Sequence, residues 1–286
     1  MKTLFKVLAV CLLLAVGCDV AINYPSQDVK KPIKFDIKQS PASTNFEWGD
    51  EAGLYVFDPN NYGNRYITNE KFIYHEHSWS PETDLYWDDK YEVADFVYYF
   101  PYIENIHEIT RHQFGIDTDQ SKYENYKKCD LLWGKATGVS RHDEAAHIEL
   151  SHLMSRFVIT LKAGNGYTEE ELYNSEVYVN PDDNICYVNL HNAEITEAGW
   201  GGDIRAYYNP DDNKYYAIVV PQNISDKNFI RVVTRGGKTF TMKLNIDLEQ
   251  GKQHNCTLTL NKNSYGVDID VSDWEVDNND YGGELY

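Results

Sequence analysis

No apolar run in this chain reaches the ~20 residues that a helix needs to cross a bilayer. There is no CxxC pair, so neither a zinc knuckle nor a dithiol redox site is encoded. A Gly-rich phosphate loop, a GxSxG turn and a Cys/His pairing at a known spacing are all missing, which removes the commonest signatures of nucleotide-binding and nucleophilic enzymes. Basic residues are scarce, with 26 Lys and Arg against 45 Asp and Glu and a formal charge of −19. Such a surface repels phosphate backbones and anionic headgroups, which argues against nucleic acid and a charge-bound membrane as direct partners. Helix-length apolar periodicity is nearly absent too.

Metal chemistry has no better footing. His142 and His147 sit five apart, whereas two zinc ligands on one helical face need a spacing of four. His75-Glu76-His77 puts two histidines on one face of an expected strand without a third ligand. The Asp277–Gly282 stretch lacks the distal bidentate glutamate of a calcium loop. With 45 acids, carboxylate pairs are inevitable and carry no glycosidase signal. The expectation is therefore a non-enzyme with no catalytic residue, no cofactor and no metal.

What is present is tyrosine, 23 of them, and short β-branched and aromatic stretches between Asn/Asp/Gly/Pro clusters. That pattern predicts an all-β protein built from hairpins. Cys129, Cys186 and Cys256 are widely spread, and buried thiols fit them better than a bridge.

The start of the chain organises the rest. Lys2 and Lys6 precede an apolar stretch to Val16, and small residues lead into Cys18, which reads as an export signal. Gly17-Cys18 resembles the lipobox of bacterial lipoproteins, in which cleavage before the cysteine leaves it lipidated as the mature N-terminus. Ala15 stands where that pattern favours leucine, and ordinary cleavage after Ala15-Val16-Gly17 fits the same residues. Loss of residues 1–17 removes Lys2 and Lys6 and takes the charge from −19 to −21. Lipid would then have to hold the membrane unaided.

Residues 18–32 read as a lipidated tether. Ile33, Phe35 and Ile37 alternate with Lys34, Asp36 and Lys38, predicting a half-buried first strand, and Gln39–Asn45 reads as a loop. Residues 117–128 read as an exposed loop, and the polar stretch at 136–143 as a domain boundary, giving sandwiches over 33–142 and 143–286. The apolar phase flips within His147–Gly164, which predicts a bulge or bend inside His152–Arg156. Thr168-Glu169-Glu170-Glu171 fits a capping box. Asn-Pro-Asp-Asp-Asn occurs at 180–184 and again at 209–213, each read as a hairpin turn, and Gly236-Gly237 as a third. Val267, Ile269 and Val271 alternate with aspartates near the end.

Several pieces, in order, resemble fimbrillins, the pilus subunits and surface lipoproteins of Bacteroides-type bacteria. They are Phe46-x-Trp48-Gly49-Asp50-x-x-Gly53-Leu54-Tyr55-Val56, Tyr86-Trp87, Asp95-Phe96-x-Tyr98-Tyr99-x-Pro101-Tyr102 and Asp130-Leu131-Leu132-Trp133-Gly134. His152-x-Met154-Ser155-Arg156, Val220-Pro221-Gln222 and Trp274 follow. The resemblance implies two tandem transthyretin-like β-sandwiches after a lipoprotein signal, at the cell outer membrane, on the cell surface or in fimbriae. It also implies assembly by strand exchange, in which protease cleavage after the first strand opens a groove for a neighbour's C-terminal strand. Ile33, Phe35 and Ile37 would be the displaced strand, and Val267, Ile269 and Val271 a possible donor, although they could equally complete this chain's own second domain. The expected partners are other fimbrillin-like subunits, the outer membrane through the N-terminal lipid, and a host or bacterial surface glycan or protein. One departure stands out: no arginine lies between Cys18 and Asn64, and Lys38 is the basic residue nearest the loop. Shaft, tip and anchor roles stay open, as does a surface glycan-binding lipoprotein that uses exposed Trp and Tyr and has no assembly role.

Overall fold

The computed structural model describes residues 30–39, 46–262 and 265–274. Gly17, Cys18, most of the tether, the loop after Gln39 and the tail beyond Trp274 lie outside the described residues. Within them the protein is almost wholly β, arranged as layered sheets.

The first half of the chain supplies β1 (Phe35–Gln39), β2 (Glu51–Asp58), β3 (Asn61–His75), β4 (Ser78–Pro81) and β5 (Val93–Phe100). Next come β6 (His112–Gly115), helix α1 (Tyr123–Lys128), β7 (Leu132–Ser140) and β8 (Ala146–His152). The second half supplies β9 (Ser155–Ala163), helix α2 (Glu169–Leu172), β10 (Glu176–Val179), β11 (Asp183–Asn189) and β12 (Glu194–Trp200). It continues with β13 (Ile204–Arg205), β14 (Tyr207–Asn209), β15 (Lys214–Val219) and β16 (Gln222–Val233). It closes with β17 (Thr239–Leu248), β18 (Lys252–Leu260) and β19 (Tyr265–Asp273). Four sheets result, ordered β1-β8-β7-β5-β2-β3-β4, β13-β10-β16-β17, β12-β11-β6 and β14-β15-β9-β18-β19.

Strands β2 and β5 explain the density of apolar residues in the first half. Leu54 and Val56 of β2, with Phe96, Tyr98 and Phe100 of β5, face one core. The intervening Tyr55, Phe57, Val97 and Tyr99 face a second, larger core that reaches to Trp274. Both faces are buried, so the sequence reads as continuous rather than alternating. Gly53 is required where it stands, since a Cβ there would lie 2.2 Å from the Tyr99 ring.

The expected break within His152–Arg156 is present, with Leu153 and Met154 separating β8 from β9. Strand β8, which a division at 142/143 assigns to the second half, pairs with β7 and β1 of the seven-stranded sheet. The Thr168 capping box forms as read: Thr168 N–H donates to Glu171 Oε2 at 2.9 Å, and Glu171 N–H donates to Thr168 Oγ1 at 3.4 Å.

Three local readings differ from the structure. Residues 117–128 contain α1, and Lys127 is buried there with its Nζ 2.6 Å from Asp50 and 3.2 Å from Glu47. Its tyrosines hold it: Tyr123 and Tyr126 lie 5.5 and 5.6 Å from the Tyr207 ring. A helix this short leaves no periodic signal in sequence. His75 closes β3 while Glu76 and His77 take positive φ in the turn, so the two histidines share no strand face. The first Asn-Pro-Asp-Asp-Asn is a crossover, because β10 pairs with β13 and β16 while β11 pairs with β12 and β6. Gln222 accepts from Asp182 and Asp183 N–H at 2.6 and 2.9 Å, and Lys227 Nζ donates to Pro181 O at 2.9 Å. Those distant groups separate the flanking strands. The second copy is a true hairpin, Asn209 pairing with Lys214.

Cys129 and Cys186 are buried thiols, each raised to about 12 chiefly by burial. His254 is fully buried, and burial holds its imidazole below the ordinary histidine range; His112 and His191 are lowered for the same first reason. The unfolded chain therefore binds protons that the native fold refuses once pH falls below ~6.5, and stability falls with it. Thermal unfolding is expected at lower temperature near pH ~5 than near pH ~7.5, with His254→Gln flattening part of the decline. A melting temperature constant across that window would show that these burials cost nothing.

Candidate functional site

The segment Lys31–Gln39 changes partner midway. Trp87 N–H donates to Lys31 O and Ile33 N–H to Leu85 O, both at 2.8 Å, while Pro32 bridges Tyr86. Ala146 N–H then donates to Lys34 O at 2.8 Å, and β1 runs parallel to β8 from Phe35↔Ala146 to Gln39↔Leu150. Among the described residues the strand is an edge strand whose one sheet neighbour is β8.

The apolar side chains of the Lys31–Gln39 segment fill one slot. Ile33 is buried, and Phe35 and Ile37 are half-buried against the same core. The Phe35 ring lies edge-on to Phe72 at 5.0 Å and to Phe96 at 6.0 Å, and Trp87 meets Phe96 at 5.9 Å. Phe72 belongs to β3, near the opposite end of the sheet order from β1. Contact between the two means that the sheet curls and β1 plugs its open side. A cleft of about 380 Å³ bounded by Ile33, Trp87, Val139 and Ala146 continues the slot.

The solvent side of β1 is polar. Asp36 accepts from Lys38 Nζ at 3.0 Å and meets His147 Nδ1 at 2.9 Å. Lys38 and then His147 hold its carboxyl below the usual range. Lys38 itself is 72% exposed at the side chain, yet its backbone stands within β1 opposite Glu149, one residue short of the strand end.

Val267, Ile269 and Val271 lie on β19, the edge of the five-stranded sheet, in register with Leu258, Cys256 and His254 of β18. The structure therefore brings Ile33, Phe35 and Ile37 together in one slot and places the C-terminal triplet in a different sheet. Beyond β19, buried Trp274 stacks on His152 at 4.0 Å, and the Arg156 guanidinium lies 4.9 Å from its ring. His152 Nδ1 meets Asp130 Oδ1 at 2.7 Å. Four residues scattered through the sequence, at 130, 152, 156 and 274, thus meet where the C-terminal strand ends. Each stands in a separate local motif of the sequence, and nothing local joins them. The pairing of Ile33 with Leu85 is equally invisible in sequence, since pairing between remote segments leaves no local pattern.

Among the described residues, no group of three or more His, Cys, Asp or Glu is arranged to hold a metal ion. His147 turns to Asp36, and His142 lies 3.5 Å from Glu92. Trp48 and Trp200 are the exposed tryptophans, 76% and 82% open.

A family model described as fimbrillin-like matches residues 40–274. No curated protein matches the chain significantly by sequence. The fold is similar to a candidate cell adhesion protein of Bacteroides uniformis, with TM-score 0.72 and 20% identity over 87% of this chain and 99% of that one. A candidate cell adhesion protein of Bacteroides ovatus gives 0.69 and 18% identity over 87% and 99%. The tip fimbrial protein Mfa3 of Porphyromonas gingivalis, C-terminally truncated, gives 0.50 and 10% identity over 80% and 95%. The family match takes in the strands that build the slot and ends on the tryptophan that closes the C-terminal stack, and on it the chain belongs to the fimbrillin-like family.

Proposed function

We propose that this protein is a lipid-anchored subunit of a surface fimbria that joins its neighbours by strand exchange. Export ends with cleavage between Gly17 and Cys18, and Cys18 carries the lipid into the outer membrane. The single observation behind the exchange is the segment that ends in β1: among the described residues its strand has one sheet neighbour, and Ile33, Phe35 and Ile37 pack against one core. Full burial of such a side chain is worth about 1.5–3 kcal/mol, so an emptied slot is a strong acceptor for another strand of alternating character. Cleavage after Lys38 would release β1. Because Lys38 is still in the β1–β8 ladder, the end of that ladder must fray before a protease can act.

The donor in this reading is a neighbour's C-terminal segment carrying Val267, Ile269 and Val271. In the isolated subunit that segment is β19, so donation requires it to leave β18 of its own chain. Its pairing with β18 also supports a second reading, in which it only completes its own sheet. The two tandem sandwiches of this reading span 33–142 and 143–286, with β8 pairing back onto β7 across that boundary. The neighbours in known structure include a tip fimbrial protein and candidate adhesion proteins, which agrees with a surface role; a glycan or protein on a host or bacterial surface is the natural contact.

Immunogold electron microscopy of material shed from cells is the direct test. Labelled filaments are expected. Protein retained on a polysaccharide gel, with no filament carrying label, would leave a solitary glycan-binding lipoprotein instead.

A further inference from the structure

We infer that the cleft between α2 and the β14–β15 hairpin binds the ring of a neutral saccharide. The cleft encloses about 270 Å³, below the ≈ 300–1,000 Å³ of sites for drug-sized ligands and suited to a single ring. Tyr173, Tyr208 and Tyr215 supply its aromatic wall. The Tyr208 and Tyr215 rings lie 4.9 Å apart at 41°, which sets them at an angle instead of closing the gap by stacking. Tyr173 is 38% exposed at the mouth. An aromatic face offers apolar contact to the C–H side of a pyranose, whose hydroxyls then need both donors and acceptors around them.

The rim provides both. Asn213 takes a left-handed φ of +57°, and its Oδ1 accepts the Tyr208 hydroxyl at 2.8 Å. That bond fixes the side chain, and its amide N–H groups have no partner among the described residues. Half-buried Lys162 makes no ion pair among the described residues, although acids outnumber bases in the chain by 45 to 26. Glu169 uses Oε1 to accept Ala163 N–H at 2.9 Å and keeps its second oxygen for an incoming hydroxyl. Tyr215 is buried and contributes its ring to the wall, with its hydroxyl turned toward Ser175 and away from the opening. At the rim Glu169 and Asp212 outnumber Lys162, and the chain as a whole is acidic, so an anionic ligand gains nothing here.

The cleft's place in the fold keeps it open during assembly. It lies beside β14, one edge of the five-stranded sheet, whereas β19 is the opposite edge and the β1 slot belongs to another sheet. Saccharide binding and strand exchange therefore stand or fall separately.

Saturation-transfer NMR on the full chain with glucose, galactose, mannose and N-acetylglucosamine tests the inference. Transfer to the ring protons of at least one sugar is expected, with affinity falling ~10-fold in Tyr173→Ala and in Asn213→Ala. Trp48→Ala and Trp200→Ala should leave it unchanged. Tyr173 and Asn213 are exposed enough that neither variant threatens the fold. Silence from all four sugars overturns the assignment, and so does binding that survives both cleft variants or is lost with either tryptophan.

Discussion

Replacing Cys18 with Ala is expected to empty the membrane fraction of this protein. Under the proposed lipoprotein reading the variant lacks both the lipidation site and the signal cleavage that depends on it. In the proposed reading the lipid has no substitute: no later apolar run reaches bilayer length, and the charge of −21 left by cleavage before Cys18 is repelled by anionic headgroups. Each buried methylene of an acyl chain contributes ~0.8 kcal/mol, and stable anchoring takes more than one chain. If the proposed lipid is what holds the protein, its loss should lower the membrane-bound share by ~100-fold or more, the protein appearing uncut or soluble. Fractionation of cells producing the Cys18→Ala chain, with the mass of the released protein, measures this. A variant that stays membrane-bound and correctly processed would show that ordinary signal cleavage, or some other attachment, is at work.

Features specified by neighbouring residues were legible in the sequence. The Thr168 cap satisfies itself within four residues, the β14–β15 turn within five, and the phase flip near Met154 is written into the alternation of Ile148 and Leu150 against Phe157 and Ile159. Ile33, Phe35 and Ile37 announced a half-buried strand by the same alternation, and the structure places all three against one core. What was hidden depends on partners far along the chain. Parallel pairing of β1 with β8 joins residues more than a hundred positions apart. The first Asn-Pro-Asp-Asp-Asn has the chemistry of the second and a different outcome, because Gln222 and Lys227 reach it from β16. Helix α1 exists through Tyr207 and Asp50, neither of which a local window contains.

Assembly by strand exchange requires the segment ending in β1 to be a removable plug. Loss of Ile33, Phe35 and Ile37 uncovers Phe72, Phe96 and Trp87, and the exposed aromatic slot is worth several kcal/mol against a typical total stability of about 5–15. A chain starting at Gln39, the product of cleavage after Lys38, should therefore seek a substitute strand from a second copy. Removal of residues 265–286 takes away the proposed donor and also strips β18 of its neighbour, so that deletion alone cannot separate donation from damage to the sheet. A peptide of residues 31–39 avoids the difficulty, since it restores the native occupant and leaves the C-terminal sheet intact. The decisive measurement is light scattering on the chain starting at Gln39, with and without that peptide. Oligomers that revert to monomer when the peptide is added are the expected result. A truncated chain that remains a stable monomer, or oligomers indifferent to the peptide, would contradict assembly by strand exchange.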